Sequence, residues 1–493
     1  MSLTGTHQKV LWAFFAAVVG LKAVFLAIYG PMHLPDSGGY TRFADWILND
    51  TQWRTSLDLK DYWYPPSGFR SIGYPAFIAL MKLIASNSYD WLVVFVQMGL
   101  SLFVTYRLIT LALALKLSFY VALFVGATHA ISLGFLLDQC VLTDSLNANI
   151  LLCATLIMAQ GIVEKRPVNW QAMITVGLLV ALAFLIREAG SYLQYLYWPL
   201  AFWWLFRTVE RWKQRALLFA CLILPMIIFT QSYKTWNQMR TGERFVTTAG
   251  QTTVFFPVLE LKKRGINAFE NDPYLKDMPP YHEPLWRVAP LQNIRVINTH
   301  LVKEHGWDAL DVSRYAFKTF FRLWMERPAD MAKITMGAIS LNQAFMPLSP
   351  VETALTYPFW ETERKPFWDK MELTYKVRDF GRYDLLAAYV ARHAERVVSF
   401  FITICFVLAV PVLIIRQGIK SGFRFTEMDQ NLVLFGLFWL IYIGFTGAYA
   451  LVNLEQRYLL SVFPLCTLSG VYLWTRFFSC EASLLEQGES QQS

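Results

Sequence analysis

Long apolar runs recur along this chain, and they constrain its fold more than any other feature. A run of about twenty apolar residues has the length of a helix that crosses the hydrocarbon core of a bilayer. Such a helix satisfies its own backbone hydrogen bonds, as a segment in lipid must. Segments of roughly this length lie near residues 10–30, 90–114, 117–137, 141–163, 171–187, 190–206, 216–232, 397–415, 431–451 and 458–475. The sequence therefore predicts an all-α polytopic membrane protein with about ten transmembrane helices.

The composition agrees with a membrane protein and argues against an ordinary soluble one. Of 493 residues, 55% are apolar and only 16% are charged. Aromatic residues, at 16%, suit the belts at membrane interfaces. The net charge of +8 does not indicate a nucleic-acid partner, because no basic run is interleaved with stacking aromatics. Basic loops that face an anionic inner leaflet account for it, so membrane lipids are the expected partners.

The positions of Lys and Arg predict which side each loop faces. With the N-terminus inside, the short inward loops carry Lys and Arg and the short outward turns are poor in them, as the positive-inside rule requires. These cations are Lys116, Lys165, Arg166, Arg207, Arg211, Lys213, Arg215, Arg416, Lys420 and Arg424. The apolar run from Tyr74 to Ile84 is too short to span, and counting it as a span would invert every later loop. We expect it to be interfacial or re-entrant.

Four regions follow from these spans. Residues 1–232 form an N-terminal transmembrane module whose first outer loop covers 31–89, and residues 233–396 form an outer segment. Transmembrane helices return at 397–480, and a polar tail, expected to be disordered, covers 481–493.

Helical segments are predicted within the outer segment. An apolar stripe at helical spacing, from Ala316 to Trp324, predicts one helix that breaks at Pro328. Further helices are expected from Asp330 to Phe345 and from Tyr383 to Arg396.

Asp36 is the first acidic residue after the first span, in Pro35-Asp36-Ser37-Gly38-Gly39-Tyr40. The glycines behind it allow the backbone to approach a ligand closely. Asp36 is also well placed to cap an interfacial helix over Ser37 to Leu48, with apolar residues on one face. The two interpretations are compatible, because a helix N-terminus keeps a carboxylate ionised and able to act as a base.

Two further carboxylates, Asp138 and Asp144, flank the next outward turn. A carboxylate inside a membrane segment is costly, so Asp144 is a functional candidate. The structural alternative is a hydrogen-bonded pair with Thr143, Asn147 or an arginine. Asp138 could instead lie at the exposed rim.

Three arginines are expected at the same outer face: Arg70, Arg187 and Arg457. A guanidinium can hold a lipid phosphate through a planar, permanently charged fork. Structural alternatives are an ion pair of Arg187 with Glu188 or Asp144, or simple extension of the side chain to lipid headgroups. Three cations near several carboxylates suggest a site for an anionic lipid headgroup.

No pattern in the sequence indicates a metal or nucleotide site. His33 is near Asp36, but a lone histidine is weak evidence for a ligand, and there is no Cys/His metal spacing. A P-loop, a dinucleotide-binding glycine motif and a serine-hydrolase elbow are absent from the sequence.

In order and sidedness, these motifs resemble the GT-C superfamily of membrane glycosyltransferases. The similarity is greatest to the glycosyltransferase family 39 branch, which includes bacterial protein mannosyltransferases and aminoarabinose transferases. The motifs that carry it are Asp36-Ser37-x-x-Tyr40-x-x-x-Ala44, Arg70-x-x-Gly73-Tyr74-Pro75, Leu142-Thr143-Asp144-Ser145-Leu146, Arg187 and Arg457-Tyr458.

The resemblance implies an inverting transfer, on the extracytoplasmic side of the inner membrane, from a polyprenyl-phosphate sugar donor to an envelope acceptor. Asp36 then matches the catalytic base, and either Asp144 or Asp138 matches the second acidic residue. Arg70 and Arg187, with Arg457, match phosphate-binding positions, and Tyr40 and Tyr74 are expected at the substrate. A single phosphate requires no metal cofactor, although a divalent ion is compatible with the chemistry.

Other functions compete with this interpretation. One is a ligase or polymerase that moves a glycan from a polyprenyl diphosphate, which would demand more cations or a metal. Another is a lipid flippase or secondary transporter, for which charges should be distributed through the bundle core. A non-catalytic scaffold would leave Asp36 and Arg70 in unrelated places.

Overall fold

The structure of the chain is a computed structural model that describes residues 4–34, 36–50, 66–187, 190–261, 264–276, 290–339, 386–424 and 426–490. This part of the chain is helical and has no β-strand, which confirms the predicted all-α class. An isolated bridge joins Met32 to Cys140.

The longer helices are numbered here in chain order. They are α1 (Gly5–Tyr29), α2 (Ser37–Asn49), α3 (Gly73–Ile84), α4 (Tyr89–Ala114), α5 (Phe119–Ala130), α6 (Thr143–Val163), α7 (Trp170–Ile186), α8 (Trp198–Thr208), α9 (Trp212–Thr241), α10 (Pro290–His305), α11 (Ala309–Glu326), α12 (Pro328–Ala338), α13 (Leu386–Ile404), α14 (Val410–Lys420), α15 (Gln430–Ala450) and α16 (Phe463–Ser490).

Six described helices are long and apolar enough to cross a membrane, so the chain is a multi-pass membrane protein. They are Gly5–Ala27 in α1, the helices α4, α6, α9 and α15, and Val397–Lys420. The runs predicted as spans at 117–137 and 190–206 are each divided among shorter helices. The count of ten spans stays a prediction.

Side-chain caps begin several of these helices at the face predicted to be cytoplasmic. Ser118 caps α5, Asn169 caps α7 and Asp429 caps α15, each by accepting a hydrogen bond from a backbone N–H of the first turn. Each cap satisfies one of the donors that a helix start leaves unpaired.

The short helix α3 is the segment that was predicted not to span. Its twelve residues reach about 18 Å, well short of the hydrocarbon core. It packs against α2, α4 and the end of α7. Gly73 makes this approach close: a Cβ there would lie 2.6 Å from the carbonyl carbon of Leu185.

The outer segment has a hydrophobic core of its own, which includes Phe255, Leu301 and Phe320. The helix predicted around Ala316 to Trp324 is confirmed as α11, and Asp308 and Asp311 form a capping box at its start. The next helix begins at Pro328 rather than Asp330, because proline fits the first turn of a helix.

Other parts of the outer segment differ from expectation. Helix α10 was not predicted from the sequence. The part of the Asp330–Phe345 prediction beyond residue 339 lies outside the described residues. From the third predicted helix, residues 386 onward belong to α13, which runs unbroken past residue 396 to Ile404. No helix-breaking residue stands at the junction of the predicted helix with the predicted span at 397–415.

The expectation of a disordered tail from residue 481 is wrong for most of that segment, because α16 continues to Ser490. Residues 481–487 read Glu-Ala-Ser-Leu-Leu-Glu-Gln, and most of these are strong helix formers that extend a helix already begun.

Candidate active site

The first outer loop is fastened to the turn that precedes α6. The N–H of Met32 donates to the carbonyl of Gln139 at 2.9 Å, and the N–H of Val141 donates to that of Met32 at 2.8 Å. The Ser37 hydroxyl donates to the carbonyl of Val141 at 2.7 Å. These bonds hold the start of α2, and with it Asp36, beside the start of α6.

Asp36 occupies the N-cap position of α2, and the helix predicted after it is confirmed. Its side chain makes no capping hydrogen bond to α2 and turns to two arginines instead. Arg70 Nη2 donates to Asp36 Oδ1 at 2.8 Å, and Arg457 Nη2 lies 3.5 Å from Asp36 Oδ2. The carboxylate is thus used in an ion-pair network rather than as a helix cap.

Asp144 lies in the first turn of α6, where the helix dipole favours a negative charge. Arg187 Nη1 donates to Asp144 Oδ1 at 2.6 Å, and Arg457 Nη1 is 3.7 Å from Asp144 Oδ2. The Asp144 side chain is only 2% exposed. The ion pair weighed as the structural alternative for Arg187 is therefore present, and it belongs to a larger network.

Arg457 joins the two halves of this network. It contacts both Asp36 and Asp144, and its Nε donates to Glu455 at 2.6 Å. Glu455 also accepts a hydrogen bond from the Tyr458 hydroxyl at 3.0 Å. We call Asp36, Arg70, Asp144, Arg187, Glu455 and Arg457 the ion-pair cluster.

Glu455 and Tyr458 were missed as site residues. The Arg187 guanidinium lies 4.2 Å from the centre of the Tyr458 ring, within cation–π range. The available signal was the run Glu455-Gln456-Arg457-Tyr458 between two apolar helices. Arg457-Tyr458 was noted as a motif, but only Arg457 was assigned a role.

Tyr40 contacts Arg70 of the cluster, and Tyr74 packs against Tyr40. Arg70 Nη1 donates to the Tyr40 hydroxyl at 3.1 Å, and Arg70 also stacks over the Tyr40 ring. Tyr74 is fully buried, packs edge-on against Tyr40 and donates to Gln97. In this arrangement Tyr74 orients Tyr40, and Tyr40 orients Arg70.

Asp138 lies in a different environment from Asp144. Its carboxylate pairs with Lys22 of α1 at 2.6 Å, and both side chains are buried. It also accepts a hydrogen bond from Ser145. A small polar cavity beside it is lined in part by His129, Ser145 and Asn149. Of the two acidic candidates, Asp144 is the one that contacts the arginines.

The electrostatics of the cluster keep Asp36 ionised. Burial would raise the pKa of the Asp36 carboxyl, but the charges of Arg70 and Arg457 and the Arg70 hydrogen bond outweigh it, so the pKa lies below its usual value. A carboxylate held this way stays charged at neutral pH and is a weakened base.

Within the described ranges, no group of three or more His, Cys, Asp or Glu side chains is arranged to hold a metal ion. The Nε2 of His33, the histidine near Asp36 in the sequence, lies 3.8 Å from a carboxylate oxygen of Asp90.

Comparison with family models, with curated proteins and with solved structures finds no match for this chain. Function is therefore inferred from the geometry of the ion-pair cluster and from the order of the motifs.

Proposed function

We propose that this protein is a membrane glycosyltransferase of the GT-C type, with about ten spans, that moves a sugar from a polyprenyl-phosphate donor to an envelope acceptor. The observation that carries the proposal is the ion-pair cluster. It gathers a partly exposed carboxylate, Asp36, and three guanidiniums at the end of apolar helices. A lipid-linked phosphate and a hydroxyl acceptor require such a set of groups at a membrane rim.

The proposed reaction uses Asp36 as the general base. The acceptor oxygen attacks the anomeric carbon and gives its proton to the Asp36 carboxylate. The bond from that carbon to the phosphate oxygen breaks, and the electron pair leaves with polyprenyl phosphate. Attack from the face opposite the phosphate inverts the configuration.

The arginines would stabilise the charge that grows on the departing phosphate. Arg70 and Arg457 are the guanidiniums nearest Asp36, and Arg187 extends the positive region toward α7. Fixed charges of this kind act without reorganisation when charge develops in the transition state. Together the three arginines would stabilise the negative charge of the leaving group, as a metal ion does in enzymes that use nucleotide sugars.

The excess of Lys and Arg in the loops predicted to face inward supports an outer-facing site in the inner membrane. With that orientation, the cluster opens on the extracytoplasmic side, where polyprenyl-linked sugars serve envelope assembly.

One observation favours a second candidate, a secondary transporter. The Lys22–Asp138 pair is a pair of charges inside the helix bundle, next to a polar cavity, and intramembrane charges often mark transport pathways. A transporter would leave envelope sugars unmodified by this protein.

Mass spectrometry of envelope lipids and glycans tests the proposal. Cells that lack the gene should lose a sugar-bearing product, and the wild-type gene should restore it. Identical glycans and lipids in both strains would contradict a glycosyltransferase. An accumulated substrate with no change in glycosylation would favour the transporter.

A further inference from the structure

The charges of the ion-pair cluster balance without a ligand. Three carboxylates, of Asp36, Asp144 and Glu455, stand against three guanidiniums among the described side chains. Each guanidinium is within 4 Å of at least one carboxylate. A phosphate that enters this site must therefore compete with a carboxylate already in place.

The carboxylates differ in how easily they can be displaced. The Asp144 side chain is 2% exposed, and separating it from Arg187 would leave buried charges unpaired, which is strongly unfavourable. The Asp36 side chain is 32% exposed, so water can solvate it when its partners leave. Glu455 has similar exposure, but Tyr458 and Asn453 also hold it.

We infer that the donor phosphate displaces Asp36 from Arg70 and Arg457, and that this displacement releases Asp36 to act as the base. This inference rests on the proposed function and adds an order to it. The donor binds first, and only then is the carboxylate free to accept a proton from the acceptor.

Release of Asp36 from the arginines would make it a stronger base, because a guanidinium that donates hydrogen bonds to a carboxylate reduces the basicity of that carboxylate. When phosphate oxygens replace Asp36 as the acceptors of the Arg70 N–H groups, Asp36 loses the partners that hold its pKa down. In this step no proton is transferred and no covalent bond is formed or broken. A site without donor thus keeps its base suppressed.

The local structure permits the movement. Asp36 makes no capping hydrogen bond, so rotation of its side chain breaks no bond to α2. The backbone beside it stays in place, because Ser37 is fixed to the carbonyl of Val141. Arg70 keeps its orientation through Tyr40.

Binding of polyprenyl phosphate without a sugar, to the full chain in nanodiscs, tests the inference. Asp36→Asn removes the competing charge and should bind this probe about tenfold more tightly than the wild type. Asp36→Ser should also bind more tightly, which guards against an effect peculiar to asparagine. Thermal melting of the same samples identifies any variant that has not folded.

Asp45→Asn is the matched control. Asp45 lies on the same helix and pairs with Lys82, away from the cluster, so its loss should leave probe binding unchanged. Equal or weaker binding by both folded Asp36 variants would overturn the inference, as would the absence of binding to every protein. Tighter binding by the variants, with a wild type that transfers no sugar, would show that Asp36 competes with the phosphate for the arginines and would contradict the proposed function.

Discussion

At the scale of single residues, the stability of the helix bundle depends on the buried ion pair of Lys22 and Asp138. Both side chains are excluded from solvent, so removing one charge leaves the other unpaired in the bundle. Lys22→Met should lower the free energy of unfolding by about 3–5 kcal/mol. Denaturant unfolding in detergent measures this loss.

Arg424→Met supplies the comparison. The Arg424–Glu427 pair is exposed, and such pairs contribute at most about 1 kcal/mol. The double variant Lys22→Met with Asp138→Leu should recover much of the lost stability, since no charge is left alone. A Lys22→Met protein as stable as Arg424→Met would show that the buried pair has no such role.

The Lys22–Asp138 pair also shows which site residues could be predicted from the sequence and which could not. Asp36, Arg70, Asp144, Arg187 and Arg457 could be selected because each lies at an expected outer rim. The choice between Asp138 and Asp144 could not be made. It depends on Lys22, a cation 116 residues away inside an apolar run, whose partner only the packing of α1 reveals.

At the scale of elements, the contact between α3 and α7 sets the separation of two cluster arginines. Gly73 begins α3 three residues after Arg70, and it packs on the backbone of Leu185, two residues before Arg187. Gly73→Ala would place a Cβ 2.6 Å from that backbone, which cannot yield as a side chain can. We expect a loss of about 1–3 kcal/mol in stability and a reduced transfer rate.

Gly99→Ala in α4 is the matched control, because a Cβ there meets open space. Alanine should be neutral or slightly stabilising at this position. Transfer assays and thermal melting of both variants provide the measurements. If Gly73→Ala behaved like Gly99→Ala in both, the close contact would not position the site.

Elements were predictable where a strong pattern filled the whole segment. The stripe around Phe320 predicted α11, and the shortness of the run from Tyr74 to Ile84 predicted that α3 does not span. The boundary expected at residue 396 and the disordered tail were wrong, because helices continue through polar residues when no breaker interrupts them.

At the scale of the whole molecule, the cluster draws on residues from position 36 to position 457. Counting alternating spans from the sequence could assign these residues to one face, because each span reverses the direction of the chain. It could not give their distances. Those depend on which helices pack side by side, and the apolar helices are too alike in sequence to specify their neighbours.

Sugar transfer in reconstituted vesicles tests the central claim most directly. The assay would use a polyprenyl-phosphate-linked sugar matched to the missing envelope product, and would compare the wild type with Asp36→Asn and Asp45→Asn. We expect Asp36→Asn to lose at least about a hundredfold in rate, because the general base is gone, and Asp45→Asn to retain the wild-type rate. Transfer by Asp36→Asn at the wild-type rate would contradict the assignment of Asp36 as the base.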